Sequence, residues 1–162
     1  MSAEETFTSL MGELDYPMFI VSTSAGGERS GCLIGFATQI SIHPPRFLVG
    51  LSHKNHTWEV SRDAELLGVH FVPEDGAEVA ELFGGQTGDD VDKFAQTDWH
   101  EGPGGVPIVD ACPNWFVGRI VERLDAGDHD AIILEPVAAQ RDAEEDELTF
   151  HRAKRIEPGH AP

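Results

Sequence analysis

Between Met18 and Ser52 the chain is cut into strand-length pieces by two turn-forming sites, Gly26-Gly27 and His43-Pro44-Pro45. A glycine pair and a proline pair both mark turns, which suits strands joined by short connections. The β-branched and aromatic run over 18–24 predicts a strand, and Gly26-Gly27 predicts a tight turn after it. A second strand is expected over 30–42, in which Gly35, Ala37 and Thr38 leave space for close backbone approach. After the proline turn, Phe47-Leu48-Val49-Gly50-Leu51-Ser52 is nearly continuous apolar sequence, as in a central strand covered on both faces.

The same rhythm continues downstream. Asn55 or Thr57 is placed to cap a short helix over 58–62, and a strand follows over 66–72. An amphipathic helix is expected over 74–83, with Gly84-Gly85-Gln86-Thr87-Gly88 as its stop rather than a phosphate loop. Residues 106–123 alternate as a strand that Pro113 bulges or places at an edge. Asp125-Ala126-Gly127-Asp128 signals a hairpin turn, 131–138 the return strand and 148–151 a final one. Residues 1–13 read as a short leading helix or arm, 14–155 as one domain and 156–162 as a flexible tail. Many strands on short turns with short helices inserted predict a mainly β protein, a Greek-key barrel rather than βαβ units.

Length and charge then narrow the function. A chain of 162 residues is enough for one core. A formal charge of −18 excludes a nucleic-acid surface, which needs clustered Lys and Arg. The same charge repels a phosphate, so any phosphate site must gather local cations or backbone N–H groups. The sequence lacks the roughly 20-residue apolar run of a membrane span and the pattern of a signal peptide, which makes the cytoplasm the expected location. Cys32 and Cys112 match no metal or redox spacing and are expected to be buried packing residues. His53 and His56 form the best local histidine pair but lack a third ligand, so no metal is expected.

The block from Gly31 to Ser52 runs through a glycine-led strand, a small polar segment, a Pro-Pro turn and an apolar strand ending in Ser. It resembles the flavin reductase-like family of FMN-binding split barrels. The likeness continues in order through Asn55-His56-Thr57, Asp92-Lys93-Phe94, Trp99, Gly105-Val106-Pro107 and Gly127-Asp128-His129, and covers roughly 14–151. This resemblance implies an FMN-binding split barrel acting as an NAD(P)H-dependent flavin reductase, with FAD as a possible flavin. It also implies a homodimer that delivers reduced flavin to a flavin-dependent monooxygenase or another acceptor. A different class of function is an FMN-binding electron carrier or flavin store that does not itself oxidise NAD(P)H.

Residue roles follow from the same likeness. Gly35, Phe36, Ala37, Thr38 and Gln39 supply backbone groups along the polar edge of the isoalloxazine, and Phe36 packs on the ring. Ser52, Lys54, Asn55 and Thr57 offer hydroxyls, an amide and a cation to the phosphate, although the same residues suit an ordinary helix cap. Lys93 and Phe94 lie near the flavin or across the dimer interface, or Lys93 is simply solvated. His129 resembles the residue that faces the nicotinamide side of the pocket, which makes it the catalytic candidate, or it is merely an exposed turn histidine. Trp99 and Trp115 read as core or interface aromatics. The chain departs from the family's pattern at Leu33 and Phe36, where Thr or Ser is usual, and at His43, where Asp is usual.

Overall fold

A computed structural model describes residues 2–85, 92–144 and 146–154. After a leading helix, α1 (Ala3–Glu13), come β1 (Phe19–Ala25), β2 (Glu28–Ile34), β3 (Ala37–Ser41) and β4 (Arg46–Ser52). Helix α2 (His56–Ser61), β5 (Leu66–Phe71) and helix α3 (Ala77–Gly85) follow, then the small strands β6 (Trp99–Glu101) and β7 (Pro107–Val109). The chain returns through β8 (Asn114–Asp125) and β9 (His129–Arg141) and reaches α4 (Phe150–Ala153). Seven strands form one sheet in the order β2-β1-β5-β8-β9-β4-β3, and β6 pairs with β7.

The turns account for much of this order. Gly26 and Gly27 adopt φ of 59° and 81°, the doubly left-handed geometry that lets a two-residue hairpin follow the strand twist. Every pairing in the large sheet is antiparallel, as short turns require. The sheet curls around Phe19, Val21, Val49, Leu51, Leu67, Val69, Ile132 and Leu134, all buried. Its end strands β2 and β3 are not paired to each other, so the barrel stays split. A second apolar layer, in which Ile20, Val72, Ala80, Phe83 and Phe94 meet, covers the opposite face of β1 and holds α3 and α4 against it.

Three expectations need correction. The single strand expected over 30–42 is two strands at opposite edges of the sheet, β2 and β3, broken at Gly35-Phe36. A Cβ at Gly35 would run into the Tyr16 ring, and the Phe36 carbonyl turns to accept from the Gly50 N–H at 2.7 Å. The strand expected over 106–123 is likewise divided into β7 and β8 by a turn closed by Cys112 N–H on Val109 O, with Pro113 in the connection. The final strand expected over 148–151 is one bridged residue pair, Pro17 with Thr149, followed by helix α4. Both hydrogen bonds of that bridge are made, Met18 N–H to Leu148 O and Phe150 N–H to Tyr16 O, and the pairing ends where His151 N–H goes to the Asp15 side chain and the chain turns into α4. The tail at 156–162 and Gln86-Thr87-Gly88 lie outside the described residues. Among the described residues no helix is long and apolar enough to cross a membrane.

Candidate functional site

Strand alternation builds the site. Along β4, Val49 and Leu51 point into the barrel, so Leu48, Gly50 and Ser52 belong to its outer face. Register then places Ala131 beside Gly50 and His129 beside Ser52 on that face. The break at Gly35 lays Phe36 over Gly50: a Cβ there would sit 3.0 Å from the Phe36 Cβ. The Phe36 and His129 rings lie 5.0 Å apart at 47°, and Phe36 remains 58% exposed. An exposed phenyl ring and an imidazole thus share one surface beside a residue that has no side chain.

The polar groups around this pair are ordered. His129 Nδ1–H donates to Asp128 Oδ1 at 2.7 Å, which fixes the tautomer and leaves Nε2 as the ring's remaining polar atom. That hydrogen bond holds the Asp128 carboxyl below the ordinary carboxylate range. Strand β3 pairs only with β4, so alternate N–H and C=O groups of Ala37, Thr38 and Gln39 face away from the sheet without a strand partner. Its side chains occupy themselves locally: Thr38 Oγ1 donates to Gln39 O, and Gln39 Nε2 to Ser41 O.

The polar loop between β4 and α2 is tightly tied to the helix start. Asn55 caps α2 by accepting from Thr57 N–H at 2.8 Å, and Thr57 Oγ1 pairs with Ser30 Oγ at 2.8 Å, both hydroxyls buried. Ser52 Oγ accepts from Lys54 N–H, and Lys54 is the exposed cation of the loop. Across the strand pair, Asp130 accepts from Trp58 Nε1 and binds His53 Nε2, each at 2.8 Å. The Trp58 hydrogen bond, followed by that of His53, keeps the Asp130 carboxyl low. His53, Asp125 and Asp130 bring one ligand atom each within 4.8 Å of one another, while His56 lies apart beside Glu28 and Glu59. The sequence shows no sign of the His53–Asp130–Trp58 brace, because β4–β9 register creates it across 77 residues.

Lys93 and Phe94 are not brought to Phe36 and His129. Lys93 is 5% exposed and donates to Gly31 O at 3.1 Å and Phe83 O at 2.8 Å. Phe94 packs edge-on against Phe83 and Trp99 in the layer that carries α3. Arg29 stacks over Trp99, and Trp115 is buried against Val106, Ile108 and Val117. Cys32 and Cys112 are buried and not joined in a disulfide.

Known proteins share this architecture and much of the sequence order. Residues 11–158 match the flavin reductase like domain. FMN reductase (NADH) RutF of Klebsiella pneumoniae is 28% identical over 144 residues, covering 89% of this chain and 87% of that protein. The 4-hydroxyphenylacetate 3-monooxygenase reductase component of Pseudomonas aeruginosa is 24% identical, covering 82% of this chain and 78% of that one. The solved flavin reductase domain protein of an Arthrobacter species superposes with a TM-score of 0.83 at 25% identity, covering 92% of this chain and 91% of its own. With a match across nearly its whole length, the chain belongs to the flavin reductase like domain family.

Proposed function

We propose that this chain binds FMN on the open face beside Phe36 and His129 and acts as an NAD(P)H-dependent flavin reductase. The observation that carries the proposal is the juxtaposition of an exposed aromatic ring, an oriented imidazole and an unpaired strand edge on one face. The site fits the group. Gly50 keeps the surface flat where a side chain would stand, and the edge of β3 that lacks a strand partner offers backbone groups of the kind that pair with the polar edge of an isoalloxazine. Bound FMN supplies the chemistry, accepting a hydride from NADH or NADPH. The chain's own work is to hold two flat rings in contact and keep water from between them. Phe36 offers the packing surface, and His129 Nε2 offers a hydrogen bond at its rim. The loop cation Lys54 is the positive charge available to a phosphate in a protein of net charge −18.

The named relatives support FMN and NADH, and the monooxygenase reductase component supports a partner oxygenase that consumes the reduced flavin. A homodimer, in the cytoplasm, completes the reading. The test is an absorbance titration with FMN followed by anaerobic addition of NADH and then NADPH. Bands that bleach at the first or second addition are the expected result. Bands that persist would instead make the chain an FMN carrier, and absence of flavin binding would overturn the proposal.

Two substitutions test the site directly. Gly50→Val places methyl groups where Phe36 now lies, and FMN affinity is expected to fall about tenfold, with an unchanged far-UV spectrum. His129→Ala is expected to raise the KM for the nicotinamide about tenfold while FMN affinity changes less, the split expected of a residue on the nicotinamide side. Steady-state kinetics and fluorescence titration on the same preparations distinguish the two effects.

A further inference from the structure

We infer that α1 is a docking arm for a second copy of this chain, its apolar stripe lying against the partner at the rim of the open sheet face. The inference rests on the homodimer reading and adds the element that holds the dimer together.

The argument starts from the helix itself. Phe7, Leu10, Met11 and Leu14 recur at helical spacing and are 41–60% exposed, and no residue of α1 is buried. The helix is properly started, with Ser2 Oγ accepting from Glu5 N–H, yet among the described residues nothing covers the stripe. Its root explains why it stands away. Tyr16 stacks on Phe150 with centroids 4.7 Å apart, and Asp15 Oδ1 accepts from His151 N–H at 3.0 Å. These two consecutive residues fix the root from which the helix departs.

The root also places the arm. The Tyr16 ring lies where a Cβ of Gly35 would be, so α1 leaves the domain at the break that presents Phe36. Beyond Phe36, which is left to the flavin, the rim of the open face carries its own exposed apolar residues, Ile40 and Leu124. Leu124 is brought there by its pairing with Ala131, which stands beside Gly50. With Ile42, the stripe and this rim leave seven large apolar residues 41–68% exposed, more than the singly scattered apolar residues of a monomer surface and in keeping with an interface of about 800 Å² per partner.

The occupant follows from self-complementarity and charge. One chain bears both the arm and the rim, so a two-fold arrangement covers both in each copy. A membrane surface is disfavoured, because the helix carries Glu4, Glu5 and Glu13 and no Lys or Arg to meet anionic lipid.

The test is sedimentation velocity at micromolar concentration on the full chain and on a Phe7→Glu, Leu10→Glu double variant, with FMN affinity and thermal midpoint measured for both. The expected result is a dimeric parent and a variant whose dimer dissociation constant rises at least about 100-fold with an unchanged far-UV spectrum. A parent and variant that dimerise equally would overturn the arm while leaving the dimer reading intact. A monomeric parent would overturn the dimer reading and the arm with it. A monomeric variant that has lost its native spectrum would also overturn the arm, since the stripe would then be packing on its own chain.

Discussion

Replacing Lys93 by Met is expected to lower the unfolding free energy by about 3 kcal/mol and the thermal midpoint by about 6–12 °C. Its amine is buried and bridges two carbonyls, Gly31 O on β2 and Phe83 O near the end of α3. Removing it leaves both acceptors buried and short of a charged donor, each at a cost of about 1–3 kcal/mol. Part of that cost is offset, because burial already penalises the ammonium and pushes its pKa down, so the thioether relieves a strained charge. The hydrogen bonds outweigh this relief because they tie the helical layer to the sheet. Urea unfolding gives the loss, and FMN titration of the folded variant shows what the amine does for the cofactor. An unaltered FMN affinity in a destabilised protein assigns Lys93 to the scaffold. Full stability with lost FMN affinity would place it at the flavin, as the sequence resemblance implies.

The contrast between Lys93 and Phe36 shows what a sequence can disclose about such a site. Strands, turns and the barrel were legible because their signals are local: glycine pairs, a proline pair and alternating apolar residues. The ordered motifs likewise pointed to Phe36, Ser52 and His129, and the structure sets Ser52 and His129 side by side through β4–β9 pairing. The break at Gly35 was not legible, since it depends on Tyr16 and Gly50, which come from either side of it in the chain. Nor could Asp92-Lys93-Phe94 show that its lysine is buried, because the carbonyls that hold it belong to Gly31 and Phe83. Helix α4 was hidden for a similar reason. What ends the ladder there is the His151 N–H going to the side chain of Asp15, a partner 136 residues away.

His70 makes stability depend on pH in a window above that of the carboxylates. The residue is fully buried on β5. Its Nδ1–H donates to Ile20 O at 2.9 Å, and its Nε2 accepts from Val109 N–H at 3.0 Å. Such an arrangement needs the neutral ring, because a proton on Nε2 would face another N–H. Burial, the largest influence, pushes the pKa from 6.5 down to about 4. Between those values the unfolded chain binds a proton that the folded chain refuses, so stability rises with pH. The contribution is fully present above pH 6.5 and is lost as pH falls toward 4, amounting to about 3 kcal/mol. Relief of acidic self-repulsion on acidification works in the opposite direction, so comparison with His70→Gln isolates the histidine. Urea unfolding at several pH values between 7 and 4 is expected to show the parent's advantage over the variant shrinking by about 3 kcal/mol. A constant advantage across that range would mean that the ring accepts its proton in the folded state as easily as in the unfolded one. The Val109 hydrogen bond would then have to break without cost, which its position in the buried core excludes.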